Sequence, residues 1–389
     1  MIKISFTLFF VVSIIFSTIY TPQAILPTLK EVFDIDVAQT NTLFSGMIFT
    51  LMIATPFYIL ASNKWQRKKI MIFSTFFLFL AVSISASTTN FYILLFSRIL
   101  QGIFIPGITA IMLSYVQDIY PDKHRGLGMG IYMASTSFGA VLGRLLAGWI
   151  TSLYSWRIAF ATFSILLLIA LIAMIYALPS AEKNITKKII NKKMILNYLL
   201  DFQILSVLIV SSVVFFSFMS ITTFSTYYLS KSPFNLSSAQ LGNLFLVLLV
   251  GVFVSPIVGK YSDKIGRVKI LFFGIFVLII GILLSLIQSY IFVVVGIGLV
   301  TVGMFSVQSV APTYLGDLAP NDKPTVAILY QTFFYLGGAL GTLIPAFIWK
   351  NYQYEGVAIL SVILLLIGIT PLTFMVKAKN TTSTWRGIR

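Results

Sequence analysis

Twelve apolar segments follow one another along the chain, and they limit its fold more than any other feature of the sequence. Each segment is roughly 20 residues long, which is the length that a helix needs to cross about 30 Å of hydrocarbon. Because no water reaches the hydrocarbon, the backbone of each segment must satisfy its own hydrogen bonds, and we expect a helix in every case. The predicted spans are 5–27, 42–60, 70–87, 92–116, 127–150, 158–178, 204–228, 241–258, 270–287, 292–315, 326–349 and 357–375.

The composition leaves little room for a soluble domain. Of the 389 residues, 58% are hydrophobic and only 10% are charged, so lipid must solvate most of the surface. The chain has no cysteine and one histidine, His124, in a polar loop, and we expect no thiol chemistry, no metal centre and no cofactor. No paired carboxylates and no nucleophile–base pair are visible, so an enzyme is not expected.

The positions of the lysines and arginines predict the orientation in the membrane. With the N-terminus inside, 21 of the 27 cationic residues fall on the cytoplasmic side and four fall outside. This asymmetry predicts a multi-pass protein of the cell (inner or plasma) membrane with both termini in the cytoplasm. Lys3 before the first apolar segment imitates a signal peptide, but no small-residue cleavage site follows. The net charge of +16 then needs no nucleic acid as a partner, since the basic loops face lipid headgroups.

A polar connector divides the chain near its midpoint. Residues 179–201 carry five lysines, and we read them as a cytoplasmic linker between an N-terminal six-helix bundle, 1–178, and a C-terminal one, 202–389, which ends in a short cytoplasmic tail. The halves repeat each other: Arg67 recurs as Arg267, and the Gly-x-x-x-Gly pair that starts at Gly139 recurs at Gly337. Duplicated halves predict a substrate site at their shared interface near the membrane midplane.

Three motifs lie at fixed places among the predicted spans. After span eight, a loop motif is expected to make a tight turn with a carboxylate and bases; it contains Gly259, Asp263, Lys264, Gly266 and Arg267. Span four carries Arg98, Gln101 and Gly102. Span five carries glycines spaced for close helix packing, namely Gly130, Gly139, Gly143 and Gly148.

Together these motifs resemble the major facilitator superfamily, and within it the twelve-helix drug–proton antiporter and arabinose-efflux-like branch. The resemblance implies an all-α membrane protein with twelve transmembrane helices in two pseudo-symmetric six-helix bundles. It also implies that spans one, four, seven and ten line the path, and that Asp263 and Arg267 help to close the cytoplasmic side. Two positions depart from the family pattern: Asn63 replaces an aspartate in the first-half loop, and Arg144 replaces a proline.

Two arginines, Arg98 and Arg144, lie inside predicted spans, whereas all eleven acidic residues lie in loops or at span ends. A charge at this depth costs at least about 2.5 kcal/mol and normally has a partner and a function. The arginines either attract a polar or anionic substrate, or bond to backbone carbonyls, to Gln101 or to outer acids. Further substrate or coupling candidates, each of which also fits a helix-packing role, are Tyr20, Gln23, Thr222, Thr223, Tyr227, Gln308, Tyr330, Gln331 and Tyr335.

The sequence favours a secondary active transporter that works by alternating access as a monomer. The first hypothesis is proton-coupled efflux of a small molecule such as a drug, sugar or metabolite, with the substrate, protons and membrane lipids as partners. The alternative is uptake or exchange of a small organic anion by means of the intramembrane arginines. A membrane enzyme, a sensor or a channel lacks a corresponding motif.

Overall fold

The computed structural model describes residues 2–62, 64–121, 124–179 and 192–386, which form helices joined by short connections. Short 3-10 turns, Gln23–Ile25 and Phe245–Leu249, precede α2 and α12. In chain order the helices are α1 (Ile2–Tyr20), α2 (Leu26–Phe33), α3 (Val37–Ala61), α4 (Arg67–Ser87), α5 (Phe91–Phe104), α6 (Pro106–Ile119), α7 (Arg125–Leu153), α8 (Trp156–Ala177), α9 (Lys192–Leu200), α10 (Phe202–Leu229), α11 (Ser238–Leu244), α12 (Val250–Ile265), α13 (Arg267–Ser285), α14 (Tyr290–Leu318) and α15 (Lys323–Arg386).

In the described part of the chain these helices make twelve membrane spans. Ten helical runs are long and apolar enough to cross a membrane, and α1–α2, α5–α6 and α11–α12 each count as one run. The last run, Lys323–Thr373, contains two spans because the backbone breaks at Gln353, where φ is 47°. The twelfth span is α7, which is long enough at 29 residues, although its glycines and Arg144 lower its hydropathy. The predicted fold class, all-α with twelve transmembrane helices, is confirmed.

The chain divides into two compact units, Met1–Lys188 with Ser225–Leu249, and Ile189–Phe224 with Val250–Arg389. Unit 1 therefore contains the first half of the chain together with the segment from the end of α10 to the turn before α12. The predicted linker, 179–201, includes residues outside the described ranges, and α9 occupies its last part. The bundle boundaries at 178 and 202 stay a prediction.

In unit 1, α1 and α7 touch backbone to backbone. A Cβ atom added at Gly139 would lie 2.8 Å from Cα of Ser13, and one at Gly143 would lie 2.7 Å from Cα of Ser17. The Ser17 hydroxyl donates a hydrogen bond to the carbonyl of Gly139 at 2.9 Å. Glycine at these positions lets the two helices approach closely, as the spacing predicted.

Unit 2 repeats this arrangement between α10 and α15. A Cβ atom at Gly337 would lie 2.9 Å from Cα of Ser212, and one at Gly341 would lie 2.7 Å from Cα of Phe216. The Ser220 hydroxyl donates to the carbonyl of Gly341 at 2.7 Å. The glycine pairs that recur in the sequence thus make the same helix contact in each half.

Matching caps begin α3 and α11. Asp36 accepts a hydrogen bond from the backbone N–H of Gln39, whose side chain accepts from the N–H of Asp36 in return. Ser237 and Gln240 make the same reciprocal pair. Such caps satisfy N–H groups that the first turn of a helix leaves unpaired. The second span of each half therefore starts at a defined residue.

Large apolar side chains cover the outside of the helices. Phe57, Phe253 and Ile291 are 67%, 71% and 70% exposed. In water, exposure on this scale would make an aggregating surface, whereas lipid tails solvate it without cost. The exposed faces of these helices are the lipid-facing surface of the protein.

Candidate functional site

Arg98 is completely buried on α5 and is held by unit 1 alone. Its Nε donates to the carbonyl of Leu43 at 3.2 Å, and Nη1 and Nη2 donate to the carbonyls of Thr18 and Ile19, each at 3.0 Å. The other two contacts are from Nη1 to Oε1 of Gln101 and from Nη2 to Sδ of Met47, at 2.8 Å for the sulfur. A guanidinium has five N–H groups, so this side chain has an acceptor for each of them.

These contacts match the second interpretation of Arg98, in which the charge bonds to backbone carbonyls and to Gln101. Gln101 is also fully buried and donates to the Ser85 hydroxyl at 2.9 Å. A Cβ atom at Gly102 would lie 3.0 Å from the backbone carbon of Met47, so α5 approaches α3 closely here. Arg98 therefore ties α5 to α1 and α3, and no N–H remains to bind a substrate in this arrangement.

Arg144 is 1% exposed on α7 and has a different environment. Its Nε donates to Oε1 of Gln23 at 2.6 Å, and its Nη1 donates to the carbonyl of Ala140 at 2.7 Å. The guanidinium also makes two cation–π contacts: its Cζ lies 3.9 Å from the ring centroid of Tyr20 and 4.8 Å from that of Phe245.

Arg144 keeps three N–H groups without a hydrogen-bond partner among the described residues, one on Nη1 and two on Nη2. No acidic side chain of the described residues forms an ion pair with it. Both predicted arginines thus contact the end of α1 or the turn that follows it, and no hydrogen bond joins them. Only Arg144 has capacity left for a ligand.

A set of polar and glycine contacts joins α7 and α2 to α11, and we name it the α7–α11 closure. A Cβ atom at Gly148 would lie 3.0 Å from Cα of Gly242. Nε1 of Trp149 donates to Oδ1 of Asn243 at 2.8 Å. The hydroxyls of Thr28 and Ser238 share a hydrogen bond of 2.9 Å. All of these residues belong to unit 1, at the ends of the helices that the charge pattern predicts to be outside.

The loop motif of the second half differs in part from its predicted shape. Gly259 and Asp263 lie inside α12, and an added Cβ at Gly259 would meet nothing within 4 Å, so Gly259 does not form a bend. Only Gly266 turns the chain, with a φ of 101° that side chains rarely adopt. Lys264 is a cation in the last turn of α12, where it interacts favourably with the helix dipole.

Arg267 at the start of α13 pairs with acids from two helices. Its Nε lies 2.6 Å from Oδ2 of Asp317 on α14, and its Nη2 lies 3.6 Å from Oδ1 of Asp263. In the first half, Arg67 makes an ion pair with Asp118 at the corresponding place. Neither Asp118 on α6 nor Asp317 on α14 was among the predicted site residues, although these two acids, like the arginines, recur about 200 positions apart. Asn63, the substituted position of the first-half loop, lies outside the described residues.

The other residues predicted to line the substrate path belong to different units of the chain. Tyr227 lies in unit 1 and is 2% exposed. In unit 2, Thr222 is fully buried and donates to the carbonyl of Phe218 at 2.7 Å, while Gln308 and Gln331 are half-buried. Tyr330 is 8% exposed, and its hydroxyl has no partner among the described residues. Its ring stacks on Phe334 at a centroid distance of 5.5 Å.

Two further residues would have been hard to select from the sequence. Asn41 on α3 is fully buried, and neither polar atom of its amide has a partner among the described residues. It precedes Phe44 by one helical turn, and the ring of Phe44 packs against that of Tyr20 at 6.0 Å. Phe245 covers Arg144 although it lies in the other half of the sequence. Neither position had a motif or charge to mark it.

Gly130 differs from the other predicted packing glycines. It is exposed, and an added Cβ would meet nothing within 4 Å, so no helix approaches it here. Gly102, Gly139, Gly143 and Gly148 all face another backbone closely. The glycine spacing of span five therefore indicated a contact surface correctly from position 139 onward.

Two repeated halves of membrane-spanning helices are the architecture of many secondary transporters. The family model of the Major Facilitator Superfamily matches residues 8–342 and 207–386. The chain belongs to this superfamily and is a secondary transporter with several membrane spans.

Bacterial relatives agree with this assignment. The MFS-type transporter YybF of Bacillus subtilis is 27% identical, with 94% of this chain and 92% of YybF covered. The inner membrane transport protein YnfM of Escherichia coli is also 27% identical, with 91% and 86% covered. A crystal structure of a bacterial homolog to the human lysosomal transporter Spinster, in an inward-facing and occupied conformation, has the same fold, with a TM-score of 0.79 at 14% identity and 96% of both chains covered.

Proposed function

We propose that this protein exports a small molecule across the bacterial cell membrane by alternating access, with protons as the coupling ion and both termini in the cytoplasm. The α7–α11 closure is the observation that carries the proposal. It connects helices of the first half to residues 238–243, which follow the midpoint of the chain. A transporter must open such a contact once in every cycle to reach the outer side.

The contacts in the closure are suited to being broken and remade. Gly148 and Gly242 meet through backbone atoms, and the polar contacts are two single hydrogen bonds between neutral groups. A hydrogen bond of this type contributes only about 1 kcal/mol, since water replaces the lost partner when the contact opens. The closure can therefore open without losing a large part of the stability of the protein.

Proton coupling is supported by the resemblance to drug–proton antiporters. The membrane-embedded parts of the described helices hold no acidic side chain, because every described Asp and Glu lies near a helix end or in a connection. Arg98 has an acceptor for each N–H, so its bonding in this arrangement is complete without a substrate. Protonation of a residue at the helix ends or on the substrate would then accompany transport.

The chain offers a direct test because it contains no cysteine. In the double variant Thr28→Cys/Ser238→Cys, the two thiols replace hydroxyls that are 2.9 Å apart, which is close enough for a disulfide. Inverted vesicles that contain the variant are energised, and a pH-sensitive acridine dye reports proton release when cationic, neutral or anionic compounds are added.

Oxidation is expected to stop transport of any compound that the cysteine-free protein moves, and a reductant should restore it. Each single-cysteine variant serves as the control for oxidation itself. Unchanged transport by the fully cross-linked protein would rule out alternating access through this closure. Transport that is independent of the pH gradient would remove the proton from the proposal and leave the rest intact.

A further inference from the structure

The guanidinium of Arg144 is the buried charge whose bonding is most incomplete in the described chain. Two of its N–H groups are bonded, to Gln23 and Ala140, and three have no partner. Arg98 has the same charge and burial, yet it bonds five acceptors. An unpaired polar group that is buried costs stability, and an unpaired charge costs more. A ligand that supplies acceptor oxygens would satisfy the three remaining N–H groups.

We propose that Arg144 binds the carboxylate of a small organic anion, which is the transported substrate. This inference rests on the transport function proposed above. The free N–H groups lie on Nη1 and Nη2, at the end of the guanidinium fork. The N–H groups at that end are able to donate two parallel hydrogen bonds to a carboxylate, which is the preferred geometry of an arginine–carboxylate pair.

The surroundings of Arg144 favour an anion over a neutral ligand. No acidic side chain of the described residues pairs with Arg144, so its charge is uncompensated within unit 1. In a low-dielectric interior, a single negative charge on a bound ligand removes most of the free-energy cost of burying the charge of Arg144. A neutral ligand fills the same space but leaves the charge unbalanced.

The two aromatic rings next to the guanidinium indicate the shape of the ligand. Cζ of Arg144 lies 3.9 Å from the ring centroid of Tyr20 and 4.8 Å from that of Phe245, so a carboxylate bound to the free N–H groups would lie close to two aromatic rings. The apolar body of the ligand then meets aromatic side chains. An aromatic or similarly planar monocarboxylate fits these surroundings.

Phe245 makes access to this site depend on the α7–α11 closure. It immediately follows α11, whose residues 238–243 form one side of the closure. Arg144 is 1% exposed while Phe245 covers it, so a ligand reaches the guanidinium only after this ring moves. Opening of the closure therefore exposes the charge to the predicted outer side, where the anion is released.

The test measures binding of radiolabelled benzoate to the purified full-length protein in detergent. Unlabelled benzoate, cinnamate and phenylacetate compete, and each is paired with its neutral amide of nearly the same shape. All three carboxylates are expected to displace the label, whereas the amides should not. Equal competition by the amides, or no binding of any of these carboxylates to the wild-type protein, would overturn the proposal without any variant.

Variants assign the binding to one side chain. Arg144→Gln should weaken benzoate binding by about 10- to 100-fold, the loss expected for a charge-assisted pair, and Arg144→Lys should weaken it less. Arg157→Gln removes an arginine from the same unit, one that donates to the Thr88 carbonyl away from this site, and should bind as the wild type does. Benzoate affinity that is unchanged in Arg144→Gln would refute the role of this residue.

Vesicle transport separates this inference from the transport proposal. If neutral or cationic compounds are transported and the Thr28–Ser238 cross-link stops them, while no carboxylate is moved, alternating access stands and the anion site fails. If carboxylates bind but the cross-link leaves every transport activity unchanged, the anion site stands and alternating access through the closure fails.

Phe245→Ala keeps Arg144 and removes the ring that covers it, so we expect a higher association rate of benzoate in this variant. An unchanged association rate would refute the covering role of Phe245.

Discussion

Replacement of Gly139 by alanine tests the contact on which unit 1 depends. The new Cβ would lie 2.8 Å from Cα of Ser13, with no flexible side chain in between that could move aside. Carbon atoms normally pack about 3.5 Å or more apart, so α7 must move away from α1 by roughly 0.7 Å. A shift of this size also strains the hydrogen bond from the Ser17 hydroxyl to the carbonyl of Gly139.

The same helix provides a matched control. At Gly130 an alanine Cβ would meet nothing within 4 Å. Both substitutions add one methyl group to α7, and both gain up to about 1 kcal/mol of helix propensity. They differ only in the presence of a neighbouring backbone, so the difference between them isolates the contact.

We expect Gly139→Ala to lower the free energy of unfolding by about 1–3 kcal/mol relative to Gly130→Ala, the usual range for overpacking. The measurement is reversible unfolding in mixed micelles with increasing dodecyl sulfate, followed by the fluorescence of the five tryptophans. Gly130→Ala should match or slightly exceed the wild type. Equal stability of the two variants would mean that α1 and α7 are not in backbone contact, and the account of unit 1 would be wrong.

Two further predictions concern the charged networks. Arg98→Lys keeps the charge but offers three donors to five acceptors. It should lower the free energy of unfolding by about 2 kcal/mol in the same assay. A free energy of unfolding equal to that of the wild type would refute the role of Arg98 in holding the helices together. Asp317→Asn should slow transport more than Asp263→Asn, because Arg267 lies 2.6 Å from Asp317 and 3.6 Å from Asp263. In both variants the activation free energy of transport should rise by less than about 1 kcal/mol, because both carboxylates are at least half-exposed. Equal vesicle rates for the two variants would contradict this order.

The sequence predicts the membrane helices well because hydrocarbon imposes one requirement on all of them. A run of roughly 20 apolar residues has only one way to satisfy its backbone in lipid, so length and hydropathy are sufficient. The same information does not reveal where a span is interrupted. The break at Gln353, the 3-10 turn Gln23–Ile25 and the division between α5 and α6 depend on local packing rather than on hydropathy.

The roles of the two arginines could not be predicted from the sequence. Both are single charges at similar depth in apolar spans, and the motif favoured Arg98. Its acceptors are mainly backbone carbonyls of Leu43, Thr18 and Ile19, and a carbonyl leaves no trace in a sequence because every residue has one. The difference in bonding therefore arises from helix rotation and separation, which only the folded chain determines.

The glycine contact between Gly148 and Gly242 also affects how fast the protein can cycle. Side chains that interlock must give up rotamer freedom each time they meet, at about 0.5–2 kcal/mol for each flexible group. Glycine has no rotamers to lose, so two backbones that separate and meet again pay no such entropy on each turnover. A larger residue at either position would slow the return step even if it left the resting protein intact.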